Sequence, residues 1–289
     1  MSIEFTKMHG LGNDFVVVDG VTQRVELSAE RIRALGDRHT GIGFDQLLVV
    51  QTPDDPEADF RYRIFNVDGS EAEQCGNGAR CFARFVRDRQ LTRKRTVVLQ
   101  TNSGSIECTV HGDRVEVDMG EPVFSPDAVP FDVAHAEAID PPAETPARRW
   151  SLDLGPARGG ERVELVPVSM GNPHAVIFVD DVSAADVAGI GAAVQAHPAF
   201  PESVNVGFCQ LVDQGFARLR VYERAVGETR ACGSGACAAV AAAVALGRSG
   251  PRVKVSLPGG KLRIEWQGPG HGTRMSGPAE TAFEGRLEP

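Results

Sequence analysis

Two short segments alternate apolar and polar side chains along the chain. Phe60-Arg61-Tyr62-Arg63-Ile64-Phe65 is one, and Ala217-Arg218-Leu219-Arg220-Val221-Tyr222 is the other. A period of two is that of a half-buried β-strand. Each segment is followed by a helical pattern, Ala79 to Val86 in the first case and Ala236 to Leu246 in the second. The second helix is apolar nearly all round, which predicts burial at the centre of its domain. Gly247 then reads as its stop signal. Ser28 is placed to cap a helix through Leu35, and Ser183 with Asp186 forms a capping-box pattern for another. Val97 to Gly104 and Val253 to Gly260 each read as a strand followed by a turn.

These elements recur in order, so the chain reads as two copies of one α/β unit. Gly12-Asn13-Asp14-Phe15-Val16-Val17-Val18-Asp19 is echoed by the stretch from Gly171 to Asp180. Gly43-Phe44-Asp45-Gln46-Leu47 is echoed by Gly207-Phe208-Cys209-Gln210-Leu211. The sharpest match sets Glu71-Ala72-Glu73-Gln74-Cys75-Gly76-Asn77-Gly78-Ala79 against Glu228-Thr229-Arg230-Ala231-Cys232-Gly233-Ser234-Gly235-Ala236. Asn13 precedes Cys75 by 62 residues, and Asn172 precedes Cys232 by 60. The join falls between Glu121 and Arg149, a stretch rich in Pro and Ala and poor in periodicity.

Composition narrows the class. At 289 residues, 42% hydrophobic and 24% charged, the chain suits two soluble domains. No stretch approaches the roughly 18 apolar residues of a membrane helix, and the N-terminus lacks a charged-then-apolar signal layout. The expected location is therefore cytoplasmic, with no membrane partner. A net charge of −9 makes nucleic acid a poor partner. The basic triplet Arg93-Lys94-Arg95 reads as a solvated turn. In that setting the six cysteines are expected to be reduced.

Cys75 and Cys232 each stand at a strand-to-helix turn, hence at a helix N-terminus. The helix dipole and its unused N–H groups favour a thiolate there, and the same N–H groups can hold a carboxylate. Two such starts offer a base, an acid and a clamped carboxylate. Inversion at an amino-acid α-carbon requires that set, because the carbanion needs preorganised donors and a proton delivered from the far side. Cys81, Cys108, Cys209 and Cys237 read as structural. Zinc would want closer ligand pairs than Cys75–Cys81 or Cys232–Cys237, so no metal is expected. Gly233 to Ala238 formally fits a dinucleotide fingerprint but lacks its acidic partner. No Cys-x-x-Cys redox pair occurs.

Longer motifs carry a family resemblance. Lys7-Met8-His9-Gly10-Leu11-Gly12-Asn13-Asp14-Phe15, Gly41-Ile42-Gly43-Phe44-Asp45-Gln46 and Asn66-Val67-Asp68-Gly69-Ser70 lead towards Gln74-Cys75-Gly76-Asn77-Gly78-Ala79-Arg80. Met170-Gly171-Asn172-Pro173-His174 and Tyr222-Glu223-Arg224 lead towards Ala231-Cys232-Gly233-Ser234-Gly235-Ala236. Through nearly its whole length the sequence resembles the diaminopimelate epimerase family. That resemblance implies two pseudo-symmetric α/β domains, each a curved mixed sheet or barrel wrapped around a central α-helix, with the active site in the cleft between them. The last strand would return to the first domain, giving 1–120 plus 278–289 and 121–277.

The resemblance also implies an isomerase of lysine biosynthesis that interconverts LL- and meso-2,6-diaminopimelate without pyridoxal phosphate or any other cofactor, as a homodimer. Cys75 and Cys232 would be the acid/base pair. Gly76, Asn77, Gly233 and Ser234 would hold the reacting carboxylate. Asn13, Gln46, Asn66, Asn172, Asn205, Glu223 and Arg224 would hold the other polar ends, and His174 and Glu223 would tune the cysteines. One position departs: Ala225 stands where family members usually have Gly. Read without the resemblance, Asn13 and Asn66 suit turns, Gln46 a strand cap, His174 a buried core position, and Glu223 with Arg224 a surface pair. A proline racemase-like two-cysteine enzyme is the alternative within the same chemistry. A module that captures an amino acid without turning it over is the alternative outside it.

Overall fold

The computed structural model describes residues 2–72, 75–139 and 145–287, so Glu73 and Gln74 of the repeated cysteine motif lie outside the described residues. The chain divides into two compact units, Met1–Asp118 with Ser276–Pro289, and Met119–Met275.

The first unit opens with strands β1 (Ile3–Gly10) and β2 (Asn13–Asp19), helix α1 (Ala29–Gly36), and strands β3 (Gln46–Gln51), β4 (Phe60–Asn66) and the short β5 (Glu71–Ala72). Helix α2 (Gly76–Asp88) and strands β6 (Thr96–Thr101), β7 (Gly104–His111) and β8 (Arg114–Asp118) follow. β2 pairs antiparallel with β1 and parallel with β3; β4 pairs antiparallel with β3 and β5 and parallel with β6; β7 then pairs antiparallel with β6 and β8. β2 and β3 are buried on both faces, which accounts for their unbroken Val and Leu runs. Val16, Val18, Leu47 and Val49 face Ile32 and Leu35 of α1. Phe15 and Leu48 lie under the first turn of α2 at Gly78. The unit is thus a sheet between two helices.

The second unit repeats the plan. It contains β9 (Glu137–Ala138), β10 (Trp150–Asp153), β11 (Arg162–Ser169), β12 (Pro173–Phe178), α3 (Val187–Gln195), β13 (Asn205–Asp213), β14 (Phe216–Glu223), β15 (Gly227–Thr229), α4 (Gly233–Ala245), β16 (Arg252–Leu257) and β17 (Gly260–Glu265). β12 pairs antiparallel with β11 and parallel with β13, and β14 pairs antiparallel with β13 and β15 and parallel with β16. Strand for strand, β11 to β17 reproduce β1 to β7. α4 packs against β11, β12, β13 and β17, and its alanines let it sit close to the sheet on every side. The chain returns to the first unit at Ser276, through β18 (Arg274–Pro278) and β19 (Glu280–Leu287). β19 pairs antiparallel with β1.

The mixed sheets with central helices match the sequence expectation, but the sheet does not close into a barrel. Two local expectations also fail. The cap of α3 is Asp186 alone, whose carboxylate accepts from Gly189 N–H at 3.0 Å, while Ser183 turns its hydroxyl to Asp181. The echo between Gly43–Leu47 and Gly207–Leu211 is out of register. Phe15 pairs with Gln46 and His174 pairs with Asn205, so Gln46 corresponds to Asn205 rather than Gln210. The spacing agrees: 46 − 13 and 205 − 172 are both 33. A repeated apolar run aligns with itself at several offsets, and only the pairing partner fixes the true one.

Gly191 of α3 lies against Tyr222 of β14, where a Cβ would fall 2.6 Å from the ring. Gly191→Ala should destabilise the protein by about 1–3 kcal/mol through overpacking. Urea denaturation followed by circular dichroism measures this, and an unchanged midpoint would show that the helix can move aside.

Candidate active site

In the first unit the candidate residues come together at the start of α2. Cys75 is the N-cap of that helix, in extended conformation, with its sulfur accepting from Gly78 N–H at 3.5 Å. The thiol reaches Asn13 Oδ1 at 3.8 Å, and Asn77 Nδ2 donates to the same oxygen at 3.2 Å. Asn13 opens β2, and its Nδ2 donates to Asp45 Oδ2 at 2.8 Å, which turns Oδ1 towards the cysteine. Asp45 is held by Arg38 at 2.7 Å. Arg38 also grips Asp14 through two bonds, and Lys7 Nζ sits 2.5 Å from Asp14 Oδ2. Burial alone would raise the Asp14 pKa; the bonds from Arg38 and Lys7 outweigh it and hold the carboxyl well below its usual range. Gln46 and Asn66 face each other across β3 and β4, joined by Gln46 Nε2 to Asn66 Oδ1 at 3.0 Å.

In the second unit Cys232 caps α4 in the same extended conformation but is buried and makes no cap bond of its own. Its sulfur lies 3.7 Å from Ser234 Oγ, and Asn172 Nδ2 reaches that hydroxyl at 3.5 Å. Asn172 Oδ1 faces His174 Nε2 at 3.0 Å, which makes that nitrogen the donor. His174 is thus two residues removed from the sulfur. Burial pushes its pKa down to about 3, so the ring is neutral at pH 7. Asn205 donates to Pro173 O at 3.1 Å and accepts from Arg224 N–H at 2.9 Å, while the Arg224 guanidinium touches Glu202 O at 3.3 Å. Ala225, beside it, adopts φ +62°, the left-handed region that glycine enters freely.

The helix start does not by itself favour a thiolate at Cys232. Burial raises its pKa first, and the neighbouring Glu223 carboxylate raises it further, well above the ordinary thiol value. A dipole worth about 0.3–1 kcal/mol at most exposed helix ends does not offset both effects. Burial and the Glu223 carboxylate both favour the thiol form of Cys232. The four other described cysteines expected to be structural are buried, and burial raises Cys81 and Cys209 to about 12.

Three residues that sequence reasoning missed support the site. Tyr62 of β4 is buried and donates its hydroxyl to Cys75 O at 3.1 Å. Its ring end occupies the space where a Cβ on Gly78 would sit, at 2.2 Å, so Gly78 can only be glycine. Asp45 orients Asn13, and Thr229 donates to Glu223 Oε1. The inward phase of Tyr62 in its alternating strand was the available signal. Asp45 stands in the Gly41–Gln46 motif, where spacing alone gives it no role.

The profile of a protein family described as diaminopimelate epimerase matches residues 5–125 and 166–282. A diaminopimelate epimerase from Stutzerimonas stutzeri (strain A1501) is 52% identical over 288 residues, covering 99% of both chains. One from Pseudomonas savastanoi pv. phaseolicola is 51% identical with the same coverage. Among solved structures, a hydroxyproline epimerase from Agrobacterium vitis with bound trans-4-hydroxy-L-proline aligns at TM-score 0.66 and 15% identity, over 99% of this chain and 92% of that one. A phenazine biosynthesis protein of the PhzF family from Enterococcus faecalis aligns at TM-score 0.67 and 15% identity over the full length of both. At that identity the likeness is one of fold.

Removing the charge beside Cys232 should lower the pKa of its thiol, since that charge disfavours the thiolate. In Glu223→Gln the pH profile of Cys232 alkylation, read peptide by peptide by mass spectrometry, should move to lower pH. A profile that stays in place would show that burial alone sets the thiol.

Proposed function

The chain belongs to the diaminopimelate epimerase family, and on that premise we propose that it interconverts LL- and meso-2,6-diaminopimelate by a two-base reaction at one carbon, with Cys75 and Cys232 as the bases. The observation that carries this reading is the repeated placement of a cysteine at the N-cap of each unit's central helix. A single such cysteine would suit capture of a ligand. Two at equivalent positions suit removal and return of a proton.

The reacting carboxylate is assigned to the helix starts at Gly76, Asn77, Gly233 and Ser234, where the helix does not use its leading N–H groups internally. Such donors strengthen as charge moves from the α-carbon into the carboxylate, so they lower the barrier rather than only binding the substrate. The thiolate on one face takes the α-proton, and the C–H electron pair passes into the carboxylate. The thiol on the other face then gives its proton to the carbon. One proton enters and one leaves, and the two sulfurs exchange protonation states. With its thiol form favoured, Cys232 is assigned as the donor in the first turnover, and Cys75 is assigned as the base. Asn13, Gln46, Asn66, Asn172, Asn205 and Arg224 are assigned to the distal ammonium and carboxylate, which their mixed donors and acceptors can match. No pyridoxal phosphate enters, because the clamped carboxylate takes the role of electron sink. The enzyme is taken to work as a homodimer in the cytoplasm.

Arg224→Lys keeps the charge and loses the planar fork. If Arg224 binds the distal carboxylate, KM for diaminopimelate should rise by the equivalent of about 1.5–3 kcal/mol. An unchanged KM would leave Arg224 a residue of the turn alone.

The direct test of the two bases separates exchange from inversion. Cys75→Ser and Cys232→Ser should each abolish epimerisation, since a hydroxyl is a far poorer base at neutral pH. Each should still exchange the α-hydrogen of one stereoisomer with deuterated water, and the two variants should favour opposite stereoisomers. Proton NMR in deuterated buffer reads this. Exchange of the same isomer by both variants, or near-normal epimerisation by either, would overturn the assignment.

A further inference from the structure

We propose that the first unit carries a second binding site, for a small phosphate-bearing anion, at the end of α2 remote from Cys75. Three elements meet there around a cavity of about 530 Å³. Arg84 and Arg87 come from the last turns of α2, Arg95 from the segment leading into β6, and His111 and Gly112 from the β7–β8 turn. A small-molecule pocket falls in the range of about 300–1,000 Å³.

Three arginines and a single acid line this cavity, in a protein whose net charge is −9. Many arginines elsewhere sit against carboxylates, as Arg38, Arg63, Arg158 and Arg220 do. In the cavity only Arg84 has such a partner, Asp88 at 2.7 Å. Its Nη1 donates to Gly112 O at 2.8 Å, which ties the hairpin turn to the helix. Arg87 donates only to the backbone oxygen of Lys94, at 3.1 Å, and Arg95 has no ion pair among the described residues. Lys94, between them in sequence, is drawn away to Asp59 at 2.6 Å. Asp88 is the single acid lining the cavity, and Asp113 is the next residue along the turn from Gly112.

Cations in the last turn of a helix stabilise it through the dipole, and that accounts for Arg87. It does not account for Arg95 or His111, which lie on other elements and converge on the same space. Uncompensated guanidinium groups around a concavity favour an oxyanion that several forks can share, and phosphate presents that geometry. The volume suits a polyphosphate or nucleotide. A nucleic-acid backbone would need a basic stripe, and the overall negative charge opposes it. The triplet Arg93-Lys94-Arg95 thus splits: one residue faces the cavity, one pairs with Asp59, and Arg93 is not among those lining it.

The test uses the full chain, titrated calorimetrically with pyrophosphate and with ATP at constant ionic strength. Saturable binding by both, weakened roughly tenfold or more in the double variant Arg87→Gln/Arg95→Gln and less than about twofold in Arg93→Gln, is expected. Circular dichroism and epimerisation activity like those of the parent establish that the variants are folded. Binding by ATP alone, unaffected by the double variant, would place the ligand elsewhere and overturn the proposal. So would absence of saturable binding by the parent protein, or tighter capture of heparin than of either small anion.

Discussion

Each half of this protein depends on bringing the bare N-terminal end of a buried helix to the rim of a sheet. The leading N–H groups of a helix have no acceptor within it, and burying them without partners costs about 1–3 kcal/mol each. The first unit meets this constraint with a sulfur. Cys75 accepts from Gly78 N–H, Tyr62 holds the cysteine carbonyl, and Gly78 lacks a side chain because the tyrosine hydroxyl fills that space. In the proposed reaction the atom that caps the helix is also one of the two bases, and the helix start is the place assigned to the substrate carboxylate.

The two halves are equivalent in backbone and different in charge. Pairing across the strands matches Asn13 with Asn172 and Gln46 with Asn205. Gln46 pairs with Asn66, and Val206 pairs with Tyr222, so the position of Asn66 is taken by Glu223. Exchanging an amide for a carboxylate at one repeat position places the Glu223 carboxylate beside Cys232. Duplicated folds thus yield unlike cysteines, one half-buried and bonded to an amide oxygen, the other buried beside a carboxylate. Pairs of titratable groups with unlike surroundings are what an acid and a base require.

Much of this was legible in the residues. The alternating runs gave β4 and β14, Ser28 gave the start of α1, and Gly247, at φ +66°, ends α4 as expected. The corresponding position after α2 is Gln90, also left-handed at φ +58°, and nothing in its type announces that. Likewise Ala225 is left-handed at φ +62°, a conformation that glycine enters freely. The register of β13 is not legible in sequence, because apolar runs look alike at several offsets. The protonation of Cys232 is not legible in sequence: the helix start, which favours a thiolate, is visible there, while burial and the approach of Glu223, which oppose it, are properties of packing. Asp45 and Tyr62 act through bonds to Asn13 and Cys75, and no spacing rule connects them.

The first unit is completed by a strand that comes after all of the second, with Ile3 of β1 set opposite Leu287 of β19. On the ribosome β1 emerges long before β19. The outer edge of β1 therefore stays without its strand while all of the second unit is synthesised, at roughly 5–20 residues per second. An open edge is a template for pairing with other chains. The second unit is continuous in sequence and can fold as it appears, whereas the first must hold an unfinished sheet until β19 emerges. The order of synthesis thus runs opposite to the order of completion. Overproduction faster than chaperones can shield that edge exposes the N-terminal strand, rather than the alanine-rich C-terminal core, to misassembly.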